Sequence, residues 1–304
     1  MELLGTLPVR HPPFDFEKLL AIMGRFAYPV RNCVYNNCLW RINRSGTGFA
    51  LVCHQYTDEA IHVYLAGQVG DISTQHILER SQQVLGLELD LSAFYAFAQA
   101  DNRLWNIIQP LYGMPVFRTE TVFEALVTLI IEQHIAWVNA VKSQMVLLQW
   151  NNDCIRFGDT IVYAFPTPHQ LAVAEAESLK PLKITNKRID FIIRIAQDNI
   201  AGVLNLEEIR NMPIEDAYQT LMAIKGVGHW TASNVLSRAL GRFPFVTQND
   251  VALQAAVNHY FYSDVGKKSA GQVSDTFAPY GEFAGLAADF TLLRWVLDRY
   301  PLQA

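Results

Sequence analysis

Apolar and polar positions change rhythm once along the 304 residues, near Thr119. Before it, short stretches alternate with period two. Cys38–Asn43 and Phe49–Cys53 flank Arg44-Ser-Gly-Thr-Gly48, the pattern of a β-hairpin with a glycine turn. Ala60–Leu65 alternates as a third strand. Phe14–Met23 can start as a short strand or pass straight into a helix. Ser73 or Thr74 is placed to cap a helix through Leu85, closed by Gly86. Ser92 is placed to cap another, and Leu104–Tyr112 reads as a short one. Residues 1–98 are therefore expected to form a small antiparallel sheet backed by helices.

Beyond Thr119 the period is almost entirely helical. Thr121-Val-Phe-Glu124 has the capping-box pattern, and Phe123–Ile131 is apolar on all sides, as a buried helix is. Glu132-Gln-His-Ile-Ala136 interrupts it with polar groups, which form either a satisfied core network or a surface presented to a ligand. Trp137–Trp150 continues as amphipathic helix. Cys154–Phe165 reads as a small hairpin around Gly158-Asp159. Thr167 and Pro168 open a helix as N-cap and N1, and Thr185 opens another that stops near Gly202. Asn205 caps Leu206–Met212, and Pro213 starts a helix toward Leu221. After Asp250, Val251–Tyr262 reads as a helix, Gly271–Tyr280 as loop or short helix, and Gly285–Tyr300 as an apolar-faced helix.

Leu221–Asp250 is the most informative stretch. It reads as the end of a helix, a turn around Gly226-Val-Gly228, a second helix, and a loop ending in one carboxylate. Glycines allow a tight turn and a close backbone approach. The second helix begins with N–H groups that have no partner inside it. Loop amides and a positive helix end make an anion site, for which a DNA phosphate is suited. An ordinary helix–turn–helix corner in a core would carry the same glycines.

Composition narrows the classes. Half of the chain is apolar (51%) and charge is sparse, so it is globular. No apolar run is long enough to span a bilayer. Met1–Pro8 has neither a basic start nor a long apolar core, so no signal peptide is expected. Cys33, Cys38, Cys53 and Cys154 lack metal-type pairing and read as reduced thiols of a cytoplasmic protein. No four-cysteine cluster supports an iron–sulfur centre, and no metal site is expected. The net charge of −5 argues against a protein that coats nucleic acid. The charge is uneven: −6 over 1–179, +3 over 180–242 and −2 over 243–304. The one positive segment contains the glycine turn, which fits local phosphate binding or a solvated basic face.

Leu221–Asp250 resembles the helix–hairpin–helix and Gly/Pro-loop-Asp signature of the DNA glycosylase superfamily. It is most similar to the AlkA-type 3-methyladenine DNA glycosylase II group. Ala164-Phe-Pro-Thr-Pro-His-Gln-Leu-Ala, the Lys-rich Lys180–Arg188 and then Leu221–Thr231 follow the order of that group. Ile130–Ala136 is similar to its DNA-facing helix junction. The likeness covers most of the chain and is strongest over 120–255. It implies an α+β fold: an N-terminal α+β sheet domain over 1–98, a helical domain over 99–121 plus 243–304 that carries the catalytic aspartate, and a helical domain over 122–242 ending in the hairpin.

The resemblance implies that Asp250, 20 residues after Trp230, is the catalytic aspartate. It also implies that Trp230 stands where lyase-active branches have a nucleophilic lysine. An indole cannot form a Schiff base, so the expected reaction is monofunctional hydrolysis that leaves an abasic site. Breaking an N-glycosidic bond develops oxocarbenium character that a carboxylate stabilises. On spacing alone, Asp250 is equally a helix N-cap. Trp230 is expected to wall the pocket for a flipped base, or else to anchor the core. Lys225, Gly226, Val227, Gly228, His229 and Thr231 are expected to bind DNA, with Gln133 beside His134, which fills the gap left by the flipped base. The expected partner is double-stranded DNA with a damaged base, bound by a monomer, nucleoid-associated if the organism is bacterial. No cofactor is expected, although the resemblance would allow a monovalent cation at the hairpin carbonyls.

The sequence departs from the pattern. Lys225 replaces a frequent proline. Asn234 and Val251 stand where tyrosines are expected, and Pro279-Tyr-Gly-Glu-Phe283 lacks the usual arginine. These differences leave open a glycosylase for oxidised or deaminated bases, or a protein that binds damaged DNA without catalysis.

Overall fold

The computed structural model describes residues 1–25, 32–262 and 266–299. Five antiparallel strands form the N-terminal sheet: β1 (Glu2–Pro8), β2 (Asn32–Tyr35), β3 (Cys38–Ser45), β4 (Gly48–Thr57) and β5 (Ala60–Val69), in the order β1-β5-β4-β3-β2. The three strands expected from alternation are its centre, and β1 and β2 are edges that the pattern missed. β1 is broken by a register shift between Leu3 and Gly5 and ends in Pro8; an edge tolerates both. Asn36-Asn37 and Asp58-Glu59 turn the chain with φ between 50° and 58°, the left-handed pair that two-residue hairpins need.

Both sheet faces are covered. One packs Leu39, Val52, Ile61 and Val63 against Leu19 and Leu20 of α1 (Phe16–Arg25) and Ile77 of α2 (Thr74–Val84). Phe14–Met23 thus resolves as loop and helix. The other face packs Trp40 and Leu51 against the small hairpin of β6 (Cys154–Phe157) and β7 (Thr160–Tyr163), with Trp40 and Phe157 stacked at 3.9 Å. Double coverage explains why β3 is buried without alternation from Cys38 to Asn43.

A second core joins α3 (Ser92–Gln99) and α4 (Asn102–Ile108) to α11 (Val251–Val257), α12 (Ala270–Phe277) and α13 (Ala284–Arg299). Phe94, Tyr95 and Ala98 belong to it, so the expected boundary after residue 98 cuts through a packed core. The apolar face of α3 points away from the sheet. Ser92 does not cap this helix. Leu91 holds the N-cap position, while the Asp90 carboxylate accepts the Ser92 N–H. Gly271–Tyr280 includes a true helix, capped by Ser269 and Gln272. The run from Val251 ends its α-helix at Val257 and closes with a π turn, Asn258–Tyr262. Tyr300 and the residues after it lie outside the described residues.

The third core is centred on α5 (Val122–Glu132), buried at every position through Ile131. Around it lie α6 (Trp137–Asn151), α7 (Pro168–Ala172), α8 (Asn186–Ile200), α9 (Ile214–Met222) and α10 (His229–Leu240). Thr121 caps α5 by accepting the Glu124 N–H, but the Glu124 carboxylate reaches the Glu120 N–H instead of completing the box. Thr167 and Gln170 form a complete box at α7. Asn205 makes no side-chain cap, and Leu206–Asn211 is a 3₁₀ helix.

Glu120 ties the sheet to the helices. Its carboxylate accepts the Arg44 N–H at 2.7 Å and lies 3.7 Å from Arg41, while Arg80 and Arg210 bond its carbonyl. Burial pushes its carboxyl up to about 7, against the pull of Arg41.

Candidate active site and nucleic-acid interface

The hairpin between α9 and α10 is fixed by one glycine. Gly226 has φ +93°, and a Cβ there would sit 2.4 Å from the Phe191 ring. Only glycine fits such a position. Gly228 has φ −110° and serves as N-cap of α10, with nothing within 4 Å of a built Cβ. Its role is openness rather than strain. Lys225 is exposed beside this open helix end, and the Val227 side chain is sunk into the third core.

Gln133 holds the hairpin from behind. Its Nε2 donates to the Gly226 carbonyl at 3.0 Å and to the Thr231 hydroxyl at 2.9 Å. Its own carbonyl, and that of Ile131, accept from Arg188 Nη1. The next residue, His134, is exposed in a left-handed conformation with φ +54°. The Gln133 amide nitrogen and the buried Thr231 hydroxyl are thus committed to internal bonds, whereas Lys225, Gly228 and His134 are exposed. The polar interruption after α5 is both a satisfied network and a presented tip.

The +3 surplus of residues 180–242 resolves in the same way. Arg188, Arg210 and Arg242 spend their guanidinium groups on backbone carbonyls, and Arg238 pairs with Glu132 at 2.7 Å. Much of this charge braces the fold rather than forming a basic face.

His229 also lies inside the assembly. Its ring bonds the Tyr218 hydroxyl at 2.9 Å and the Val246 carbonyl at 3.4 Å, with Phe245 edge-on at 5.7 Å. It links the hairpin to the loop that carries Asp250.

At that loop's end Asp250 is the N-cap of α11, and its two oxygens have different partners. Oδ1 caps α11 by accepting the Ala252 and Leu253 N–H groups at 2.8 and 3.0 Å. Oδ2 accepts the Trp230 indole N–H at 2.7 Å. Three donors fix the carboxylate plane. Asn234, one turn beyond Trp230, bonds the Trp230 carbonyl at 2.7 Å and leaves no aromatic wall there.

Trp230 and Asp250 line a cleft of about 1390 Å³ between the second and third cores. Gln133, His134 and Gly228 lie at the same cleft, so hairpin, tip and carboxylate converge. Further walls are aromatic: Trp137, Phe243, Phe290 and Trp295. Sequence reasoning missed these because they come from three distant segments. Glu132, Arg238 and Asp289 add charge. The Arg238 guanidinium loses by burial but gains more from Glu132, Asp289 and Asp250, and its pKa stays raised. Asp289, an acid set among the apolar residues of the first half of α13, was the one legible signal. Such a site can hold a planar base between rings with an oriented carboxylate at its sugar. Among the described residues there is no group of three or more His, Cys, Asp or Glu side chains that could hold a metal ion, and no helix is long and apolar enough to cross a membrane.

No family model matches the chain. A DNA-3-methyladenine glycosylase of Bacillus subtilis (strain 168) is 33% identical over 172 residues, 56% of this chain and 56% of that protein. The chain spans about half the length of the curated relatives it matches. A 3-methyladenine DNA-glycosylase structure from Archaeoglobus fulgidus superposes with a TM-score of 0.77 at 24% identity, covering 99% of this chain and 100% of that one. An 8-oxoguanine glycosylase/lyase of Clostridium acetobutylicum, in complex with double-stranded DNA, gives a TM-score of 0.71 at 17% identity over 94% of this chain and 92% of that one. The fold is that of the helix–hairpin–helix DNA glycosylases, an α+β architecture as expected. In sequence, the chain is also similar to DNA-3-methyladenine glycosylase 2 of Escherichia coli (strain K12), 37% identical over 71 residues, 23% of this chain and 24% of that protein.

Proposed function

We propose that the chain is a monofunctional DNA glycosylase of base excision repair, hydrolysing the N-glycosidic bond of a flipped, alkylated purine. The observation that carries this reading is the Asp250 carboxylate, held by Trp230 and the α11 amides at the wall of an aromatic cleft. A base inside a duplex is out of reach of that carboxylate and must be extruded. The open amides of α10 and Lys225 grip a phosphate of the duplex, and His134 fills the vacated stack. As the bond to the base lengthens, positive charge develops at C1′. Asp250 stabilises it and orients the water that attacks. Trp230 offers no amine, so no covalent enzyme–sugar adduct forms and the backbone stays intact. A monovalent cation at the hairpin would bind backbone carbonyls of 221–228 and takes no part in this step. The domains follow the three cores, and the partner is double-stranded DNA, bound by a monomer.

Duplexes carrying single lesions, incubated with the protein and then treated with or without hot alkali, test this. Cleavage only after alkali is the expected result. Nicking without alkali would overturn the role given to Trp230. Absence of abasic sites on every lesion would favour a protein that only binds damage. A second reading, excision of oxidised purines, is favoured by Asn234 and Val251, which make the pocket less aromatic than the alkylpurine pattern. Release of an oxidised base in preference to alkylated ones would decide for it.

A further inference from the structure

We propose that Asp289 reads the hydrogen-bond donor edge of the flipped base and makes the cleft selective for guanine-type over adenine-type lesions. This deepens the glycosylase reading and rests on it. Three carboxylates line the cleft, and two are committed. Asp250 accepts from Trp230, Ala252 and Leu253. Glu132 is bound by Arg238 and by Gln144 Nε2 at 2.9 Å. Asp289 lines the same cleft but makes no hydrogen bond or ion pair to any described residue. Its two oxygens are the carboxylate acceptors of the cleft that have no hydrogen-bond donor among the described residues.

Its position follows from α13. Gly285 lies so close to the loop before Asp250 that a Cβ would meet the Phe243 carbonyl oxygen at 2.1 Å and that of Phe245 at 3.0 Å. Residues four apart share a helix face, so Asp289 faces the side that Gly285 presses against the loop. The Trp230 edge and the Asp250 carboxylate take the sugar end of the site, which leaves Asp289 for the base.

A carboxylate offers two parallel acceptors. Guanine and its N7-alkylated form present N1–H and N2–H₂ side by side, a bidentate match. The same edge of an adenine has a lone pair at N1 and no amine at C2, which an anionic acceptor repels. Burial raises the Asp289 carboxyl to about 6, against the pull of Arg238, so it is ionised and able to accept at neutral pH.

The test uses the full chain and duplex DNA treated with a methylating agent, which carries 7-methylguanine and 3-methyladenine together. Bases released in one reaction are separated by chromatography and their ratio is read. Asp289→Asn keeps the shape but turns one acceptor into a donor. A bidentate contact gives discrimination of about 1–3 kcal/mol, so the 7-methylguanine to 3-methyladenine ratio should fall roughly ten- to a hundred-fold. Asp289→Ala, which removes both acceptors, should move it in the same direction. Because both bases come from one reaction, a loss of folded protein lowers both and leaves the ratio unchanged. An unchanged ratio in both variants, with the parent protein active, overturns the role of Asp289 and leaves the glycosylase reading standing. Release of neither base by the parent protein defeats both.

Discussion

The Trp230 indole N–H points into the Asp250 carboxylate across 2.7 Å, joining the first turn of α10 to the first residue before α11. An N-cap carboxylate left alone would present its second oxygen to water. The indole turns that oxygen in one direction, toward the cleft. Asp250→Asn keeps a cap, since asparagine caps as well as aspartate, but removes the charge. Base release should be abolished while duplex binding, measured by fluorescence anisotropy, persists. Trp230→Phe keeps an aromatic wall and loses the donor. A hydrogen bond to a charged group is worth about 1.5–3 kcal/mol, so single-turnover base release should slow by roughly ten- to a hundred-fold.

Gln133→Ala should loosen the hairpin. It deprives the Gly226 carbonyl and the buried Thr231 hydroxyl of their donor. Unsatisfied buried polar groups cost about 1–3 kcal/mol, which urea unfolding would read directly. An unchanged midpoint would mean that the tie contributes nothing.

The two glycines of the hairpin should respond in opposite ways. Gly226→Ala forces a side chain into φ +93° and into the Phe191 ring; backbone strain alone costs on the order of 1–3 kcal/mol. Gly228→Ala meets no atom within 4 Å and has an ordinary φ of −110°. Its thermal midpoint should stay near that of the parent protein, while its methyl group at the open helix end should weaken duplex binding. Equal destabilisation by both would refute the distinction.

Lys225 is exposed at the helix end and its loss should leave stability unchanged. Each neutralised phosphate contributes about 0.9 to the slope of log affinity against log salt. Lys225→Ala should flatten that slope by about one contact, equally on damaged and undamaged duplexes.

Stability should depend on pH through Glu120. Its native carboxyl titrates at about 7 because burial disfavours the charge, whereas in the unfolded chain it is near the ordinary glutamate value of 4.5. Between these values the native state binds more protons than the unfolded one, so stability falls as pH rises through that window. The penalty is absent below the unfolded value and complete above the native one. The groups facing it are Arg41, Arg80, Glu124 and the Arg44 backbone. On the order of 2 kcal/mol is at stake over such a shift. Glu120→Gln should flatten the denaturant midpoint between about pH 5 and 7; a slope equal to the parent's would assign the dependence elsewhere.

What was legible in the chain was whatever a local pattern can carry. The buried α5, the Thr167–Gln170 box, the hairpin and the carboxylate 20 residues beyond Trp230 all announce themselves in contiguous residues. β1 did not, because its pairing partner β5 lies far along the chain, and β2 did not, because a four-residue edge strand carries little alternation. The cleft was only half legible. Trp137, Phe243 and the α13 pair Asp289 and Trp295 come from three distant segments that meet through packing alone. The charge of residues 180–242 was misleading for a related reason: a count of arginines does not say whether their guanidinium groups face solvent or carbonyls.

The bonds from Arg188 through Gln133 to Gly226 tie the exposed His134 tip and the hairpin turn into a single stiff body. On the proposed glycosylase reading, the separation between a phosphate held at the turn and a stack opened at the tip is then a fixed length, and the duplex must adjust to it. The energy of bending and unstacking falls on the DNA. A base pair weakened by damage yields at lower cost than a sound one, so the stiffness of one turn of protein becomes a gauge of mechanical softness, applied before any base enters the cleft.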